Sequence, residues 1–177
     1  MNIFVLDKNP KVSATYHCDK HVVKMVVESA QLLCSAFYFN SDIVPPYKLT
    51  HANHPCAKWV REAKGNFDWT LQLFESLLKE YTLRYNKTHK CSTVLNWIKE
   101  HYMELRFINK NLTPFVLAMP DKYKSDNAVK SYRDYYMGDK VGFAKWNYTD
   151  KPFWYMVYDK SINFGDKNDK RKNYKRL

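Results

Sequence analysis

One helical segment near the start of the sequence carries a line of side chains that could perform acid–base chemistry. At 3.6 residues per turn, seven polar positions fall within an arc of about 80°. These positions are Ser13, His17, His21, Lys24, Glu28, Gln31 and Ser35. Apolar residues cover an arc about twice the ~100° stripe of an ordinary surface helix. We therefore expect an enclosed helix whose polar stripe faces a cleft, where neighbouring charges can tune pKa values. A solvated polar face is the alternative interpretation.

Four histidines near this stripe raise the alternative of a metal site. His17 and His21 are four residues apart, and His51 and His54 lie in the loop that follows. Imidazole is a common ligand of zinc and related metals. The spacing matches no HExxH motif, and the four cysteines include no CxxC pair. We expect hydrogen-bonding histidines and no metal, and a His-rich, metal-dependent hydrolase of nucleotides or nucleic acid stays an alternative.

Basic and aromatic residues are mixed in two further stretches. In "HPCAKWVREAKGNFDW", Lys58 and Arg61 are three residues apart and share a helix face. In "SYRDYYMGDKVGFAKWNYTDKPFWY", four cations alternate with tyrosine and tryptophan rings: Arg133, Lys140, Lys145 and Lys151. Cations suit phosphates and flat rings suit bases, so this mixture is typical of a nucleic-acid surface. A solvated basic face with half or more of the rings in the core is the alternative.

The overall charge favours the same class of partner. Lys and Arg number 29 against 18 Asp and Glu, which gives a formal net charge of +11. Such an excess favours a polyanion as partner, and nucleic acid and an anionic membrane both qualify. No stretch approaches the ~20 apolar residues of a spanning helix and no signal-peptide pattern opens the chain, so we expect a soluble intracellular protein. We expect no membrane binding, because the charge is spread along the chain rather than placed on one amphipathic helix. With only 4 glycines and no phosphate-binding glycine motif, we expect no cofactor.

The elements that position these residues are predicted to be helices in a single domain. A chain of 177 residues fits one domain with a sizeable core. The apolar start "MNIFVLD" is predicted to be an extended arm. Helices are predicted at about 12–39, 55–85 with an interruption at Gly65–Asn66, 91–102 and 128–146, the last capped by Asp126. We expect a compact, mainly α fold over residues 1–164 and a mobile basic tail over 165–177.

Two segments, one at each end of the chain, share their residue order with a known enzyme family. The C-terminal segment is "KPFWYMVYDKSI", with Lys151, Pro152, Trp154, Tyr155, Tyr158, Lys160 and Ile162 in order. At the N-terminus a short apolar segment leads into a long helix, in which Glu28 follows His21 by seven residues. Both resemble the phage pyrimidine-dimer DNA glycosylases of the endonuclease V type. The family's arginine before the glutamate is Val27 here, and another arginine a turn later is also missing. Lys24 or the Lys58 and Arg61 face could substitute in contacting the DNA backbone.

This resemblance implies a DNA repair glycosylase with AP-lyase activity. Such an enzyme cleaves the N-glycosidic bond of a damaged pyrimidine through a Schiff base formed by its N-terminal α-amine. An α-amine has a reference pKa of about 7.7–8.0 against about 10.4 for lysine, so it is far more often neutral. Asn2 is too large for the usual removal of the initiator methionine, so we expect Met1 to be retained as the nucleophile. Glu28 would stabilise cationic intermediates and move protons, with His21 and Lys24 beside it.

The implied partner is double-stranded, damaged DNA, bound by a monomer. Reaching the lesion requires bending the duplex and extruding a base, and aromatic side chains would fill the gap. We expect DNA contacts from Asn2, His17, His54, Lys58, Arg61, Arg133, Lys145, Lys151, Trp154, Tyr155, Tyr158 and Lys160. We expect Phe153 and Met156 to point inward. A non-catalytic nucleic-acid-binding protein is the remaining alternative, and it would show salt-sensitive binding without strand cleavage.

Overall fold

The structure is a computed structural model that describes residues 1–157. Within this range the α-helices are α1 (Pro10–Tyr16), α2 (Asp19–Asn40), α3 (Pro55–Glu62), α4 (Lys64–Tyr85), α5 (Ser92–Glu100) and α6 (Ala128–Asp139), with 3-10 turns at Tyr102–Glu104 and Asp121–Tyr123. The described residues form no β-strand, and one isolated bridge joins Ala63 to Asn109. The predicted mainly α, compact fold is confirmed. The basic tail predicted over 165–177 lies outside the described residues.

The N-terminal arm is extended and runs through the core. Its residues Ile3 to Leu6 are each at most 4% exposed. The Ser13 hydroxyl accepts from the Leu6 amide at 3.1 Å and donates to the Phe4 carbonyl at 3.1 Å. Because these buried backbone groups are paired, the arm can cross the apolar interior. It thereby brings the chain start beside α2.

The central helix of the fold is α2, which packs against α3 and α4. Val22, Val26, Leu33 and Phe37 on its inner surface are fully buried. By length and composition alone α2 could cross a membrane, which the sequence analysis did not anticipate. However, 67% of its most apolar window is buried inside the fold, as in the core helix of a soluble protein.

The prediction of one helix over residues 12–39 is wrong in one respect, because the structure has two helices there, α1 and α2. Residues 17–18 are extended, with ψ angles of 134° and 163°. The guanidinium of Arg84, on α4, donates to backbone carbonyls at the end of α1 at 2.8 and 3.0 Å. It also pairs with Asp19 at 3.2 Å and Glu80 at 2.8 Å. A buried cation from a distant helix thus satisfies the carbonyls that the break leaves unpaired.

The interruption predicted near Gly65 is confirmed, two residues earlier, where Ala63 is extended between α3 and α4. The backbone of a later loop crosses there, so closely that a Cβ on Gly65 would lie 2.3 Å from the Leu112 nitrogen. The buried Asn66 side chain donates to Thr113 Oγ1 at 2.8 Å and accepts from the Thr113 amide at 2.8 Å. Glycine is therefore required by a close backbone approach rather than by a turn.

The last predicted helix is too long at its C-terminal end and has a different cap. Helix α6 ends at Asp139, and Asn127 rather than Asp126 accepts from the Lys130 amide. The chain beyond α6 folds back over the junction of α1 and α2. There the Trp146 indole donates to the Tyr16 carbonyl at 3.2 Å. This return places residues after α6 opposite the start of α2.

Candidate active site

The N-terminal amine and the Glu28 carboxylate lie together at the surface of α2. The Met1 nitrogen is 4.0 Å from Glu28 Oε2, and the Asn2 amide donates to the same oxygen at 2.8 Å. The Met1 side chain is only 2% exposed, so the core holds it in place. The proximity on which the predicted catalytic pair depends is present, and the catalytic roles themselves stay predictions.

The side chain of Asn2 anchors the end of the arm. Its amide donates to the Ala118 carbonyl at 2.9 Å. Its oxygen accepts from the Ile3 amide at 2.7 Å, the Tyr132 hydroxyl at 3.3 Å and the Cys56 thiol at 3.6 Å. Burial raises the pKa of Cys56 to about 12, so this thiol stays protonated. The residue that we expected to contact DNA is thus already engaged in positioning the amine beside it.

A second amine lies on the other side of the carboxylate. Lys24 Nζ is 3.4 Å from Glu28 Oε1, and its side chain is exposed. The spacing of four residues on α2 brings the two together on one helix face. Glu28 therefore lies between two amines, and Lys24 is the second candidate nucleophile.

An open cleft of about 450 Å³ lies against this carboxylate. Met1, His21, Lys24 and Glu28 line it, so the middle of the predicted polar stripe faces a cleft as expected. The rest of the lining combines lysines with aromatic rings: Lys20, Lys140, Phe4, Tyr135 and Phe143. Cations at such a cleft suit phosphate groups, and the rings suit a base or a sugar.

The ends of the predicted stripe do not face the cleft. Ser13, His17 and Ser35 are each at most 2% exposed, which corrects the expectation of one continuous polar face. At the N-terminal end the stripe is interrupted because the helix breaks at residues 17–18, and at the other end the Ser35 hydroxyl donates to the Thr50 carbonyl at 3.3 Å. His17 Nδ1 is 2.8 Å from the Ser13 carbonyl, and burial lowers the pKa of His17 to about 4. We expected a DNA contact from His17, and the structure places it in the core.

His21 is held in the wall of the cleft. Its Nδ1 is 2.7 Å from the Tyr136 hydroxyl, and its ring lies 4.5 Å from that of Phe4. Burial, followed by electrostatic repulsion from the His17, Lys140 and Lys24 sites when they are protonated, lowers the pKa of His21 to about 3. The imidazole is therefore neutral at physiological pH.

The residues of the predicted basic face around α3 differ in position, because only some of them lie near the cleft and others support the fold. The His54 side chain caps the start of α3. Its pKa is lowered by burial first and then by the charge of the N-terminal amine, so His54 lies near Met1. Arg61 donates to the Ala52 carbonyl at 2.7 Å and lies 3.8 Å above the Phe39 ring, so it supports the loop before α3. Lys58 is exposed.

The predicted DNA-contacting cations after α5 also differ in position, because Arg133 makes structural contacts whereas Lys145 is exposed. Arg133 donates to the Leu6 carbonyl at 2.9 Å and pairs with Asp7 at 3.5 Å, which ties α6 to the N-terminal arm. Its guanidinium also lies 5.2 Å from the Trp154 ring. Lys145 is exposed, and Lys151 Nζ lies 5.7 Å from the Tyr155 ring.

The C-terminal aromatic segment is oriented opposite to the expectation. Phe153 is 76% exposed and Met156 is also exposed, whereas Tyr155 is only 3% exposed. Trp154 is half-buried, and its indole nitrogen has no hydrogen-bond partner among the described residues. Tyr158 and Lys160 lie outside the described residues, so their predicted DNA contacts stay predictions.

The histidines do not form a ligand set. Within residues 1–157, no group of three or more His, Cys, Asp or Glu side chains is arranged to hold a metal ion. His17 and His21 have ring centroids 6.4 Å apart, and each uses Nδ1 in a hydrogen bond.

Sequence reasoning missed part of the cleft. Lys20 is four residues before Lys24, so helical periodicity could have found it. Phe4 and Phe143 come from the arm and from the chain after α6, and they join Lys140 of the predicted basic, aromatic stretch. No local sequence pattern predicts that these distant segments meet, because only tertiary packing brings them together.

The comparisons with known proteins bear on the first half of the chain. The family model described as pyrimidine dimer DNA glycosylase matches residues 1–93. This range contains the arm, α1 to α4, and the cluster of Met1, His21, Lys24 and Glu28. The match stops before the cleft wall contributed by Ala118 and the residues around α6. No curated protein and no solved structure matches the chain.

Proposed function

The chain belongs to the pyrimidine dimer DNA glycosylase family, and on that premise we propose that it repairs DNA as a glycosylase with AP-lyase activity on damaged pyrimidines in duplex DNA. One observation supports this beyond the family. The Met1 amine lies 4.0 Å from Glu28 Oε2, beside a cleft lined by three lysines. An amine nucleophile and a carboxylate that can manage its protons are what this chemistry requires.

The first step forms a bond between the Met1 nitrogen and C1′ of the damaged nucleotide. As that bond forms, the bond from C1′ to the base nitrogen breaks, and its electron pair leaves with the base. The nitrogen then loses a proton to Glu28, and the sugar ring opens to an iminium as its ring oxygen takes up that proton from Glu28. Loss of a C2′ proton allows the 3′ phosphate to leave, which cuts the strand.

In this proposal Glu28 serves both stages. Its Oε2 can accept the proton that the nitrogen loses, and its negative charge stabilises the cationic iminium. The Asn2 amide, at 2.8 Å from the same oxygen, holds the carboxylate towards the nucleophile. The lysines of the cleft, Lys20, Lys24 and Lys140, supply positive charge for the DNA phosphates.

Met1 rather than Asn2 supplies the amine in this proposal. The large side chain of Asn2 opposes removal of the methionine, and the buried Met1 side chain fixes the position of its own nitrogen. Removal of Met1 would instead expose an Asn2 amine at the position of the present amide. The two cases give reduced adducts that differ in mass by one methionine residue.

Borohydride trapping tests the proposal. The protein with a free N-terminus should give a covalent adduct on duplexes with a thymine dimer or an abasic site, and peptide mapping should place it on Met1. A tag fused before Met1 should abolish trapping, whereas the same tag after Leu177 should not. Salt-sensitive binding without any adduct would favour the non-catalytic alternative, and an adduct on Lys24 would reassign the nucleophile.

A further inference from the structure

A hydrogen-bonded chain links the start of α2 to the cleft through Tyr136. The Cys18 amide donates to the Tyr136 oxygen at 2.9 Å, and the same oxygen is 2.7 Å from His21 Nδ1. Tyr136 is fully buried on α6, beyond the residues that match the family. The phenol therefore contacts a cleft residue from a part of the chain to which no role has been assigned.

The direction of these bonds follows from the available protons. Burial raises the pKa of Tyr136 well above its usual value, so the hydroxyl keeps its proton. The Cys18 amide N–H occupies one lone pair of the oxygen, and the hydroxyl can donate its proton to His21 Nδ1. The reverse arrangement would require the hydroxyl to donate to the Cys18 thiol, which also contacts it but is a weak acceptor.

The proton of the neutral imidazole is then left on Nε2. Within residues 1–157, Nε2 of His21 has no hydrogen-bond partner, and His21 lines the cleft. The ring cannot turn freely, because Phe4, Phe143 and Tyr136 lie against it with centroids 4.5, 5.2 and 5.0 Å away. The titratable groups that act on it are His17 at the helix break, Lys24 on α2 and Lys140 after α6, and a proton on any of them disfavours the imidazolium.

We propose that Tyr136 is a positioning residue, which fixes His21 as the Nε2–H tautomer so that this N–H donates into the cleft to a carbonyl oxygen of the departing pyrimidine. The role in catalysis rests on the proposed glycosylase function, whereas the tautomer does not. The electron pair of the breaking bond from C1′ spreads to the carbonyl oxygens of the base. A fixed N–H donor stabilises that charge and keeps its own proton, and water then protonates the base.

The tautomer is measured directly by two-bond ¹H–¹⁵N NMR of the ¹⁵N-labelled protein. The His21 signals are assigned by their loss in His21→Gln. We expect the pattern of a neutral ring protonated on Nε2, unchanged between pH 8 and pH 5. A ring protonated on Nδ1, or one that titrates in this range, would overturn the proposal whether or not the protein is active.

Three variants, two of His21 and one of Tyr136, test the catalytic role in single-turnover base release. His21→Leu should lose about 10²-fold, as for removal of one donor to a developing oxyanion. His21→Gln, which places a neutral amide N–H near the position of Nε2, should recover most of that loss. Equal loss in both variants would exclude a neutral donor.

Tyr136→Phe should slow base release at least about tenfold and mix the His21 tautomers, with DNA affinity unchanged. Tyr85→Phe is the matched control, because its hydroxyl donates to the Asp19 carbonyl at the same end of α2 without touching His21. If the two variants lose the same activity, Tyr136 is merely structural. If Tyr136→Phe does not fold, the His21 tautomer measured by NMR in the wild-type protein still tests the proposal. A wild-type protein with the expected tautomer but no trapped adduct would refute the proposed function instead.

Discussion

The backbone amide of Asn2 donates to Oε2 of Glu28 at 2.8 Å, one residue from the amine that we propose as nucleophile. The hydrogen bond links the position of the carboxylate to that of the chain start. Because the Asn2 side chain is itself anchored to Ala118, the amine and the carboxylate are held by one set of contacts. The site is thus organised before DNA binds.

Replacing Glu28 with glutamine should separate chemistry from binding. Glutamine keeps an oxygen for the Asn2 amide but cannot take up a proton. We expect Glu28→Gln to slow single-turnover strand cleavage about 10²-fold or more, with DNA affinity within about threefold. Glu75→Gln, which changes a carboxylate paired with Lys79 and Lys99, is the control and should cleave normally. Normal cleavage by Glu28→Gln would remove Glu28 from the mechanism.

The fold should depend strongly on Arg84. Its buried guanidinium neutralises Asp19 and Glu80 and satisfies carbonyls of α1, so Arg84→Met leaves two carboxylates without their partner. We expect a loss of about 3–5 kcal/mol in the free energy of unfolding, measured by urea denaturation. Arg106→Met, which breaks the exposed pair with Asp42, should cost at most about 1 kcal/mol. Similar losses for the two variants would contradict the role of Arg84 at the helix break.

Two glycines provide a matched test of backbone packing. A Cβ on Gly65 would lie 2.3 Å from the Leu112 nitrogen, whereas a Cβ on Gly142 would meet nothing within 4 Å. Gly65→Ala should therefore destabilise the protein by about 1–3 kcal/mol, because the crossing backbone must shift. Gly142→Ala should change stability by less than about 0.5 kcal/mol. Thermal unfolding of both variants checks this, and equal melting temperatures would show that the crossing is not tightly packed.

Stability should fall on mild acidification. Burial lowers the pKa of His17 to about 4 and that of His21 to about 3, whereas unfolded histidine titrates near 6.5. Below about pH 6.5 these two histidines bind protons in the unfolded chain but stay unprotonated in the folded chain. The stability present above pH 6.5 is therefore lost progressively as the pH falls towards 4 and 3.

The slope should approach about 1.4 kcal/mol per pH unit for each buried histidine. Urea unfolding at pH 7.5, 6.5 and 5.5 measures it above the range where carboxylates titrate. His54 and His89 shift in the same direction and add to the effect. His17→Gln should flatten the curve, and a free energy of unfolding that stays constant from pH 6.5 to 5.5 would contradict the buried, neutral state of both rings.

Local patterns in the sequence predicted most helices, because those patterns depend on near neighbours. The helix predicted from residue 55 begins at Pro55 as α3, and Trp69, Leu73 and Leu77, four residues apart, form part of the buried face of α4. The break between α1 and α2 could not be predicted in this way. The groups at the break are bound by Arg84, which lies 65 residues from the Asp19 side chain that it contacts.

The site was predictable only in part for the same reason. His21, Lys24 and Glu28 share a helix face, so periodicity grouped them, whereas the pairing of Met1 with Glu28 came from the resemblance of the chain ends. The orientation of Phe153 and Tyr155 depends on how the returning segment packs over the helix break. Neither ring carries a local signal of which side faces the core.

The two-part construction of the cleft has a consequence for how lesion preference can change. The amine and Glu28 lie in the half that matches the family, whereas Tyr135, Lys140 and Phe143 form a wall outside it. An abasic site presents no base to that wall. On the proposed function, substitutions there would redirect the protein to other damaged bases during evolution or in the laboratory, while the proposed reaction on baseless sugars would continue as a background activity on which selection can act.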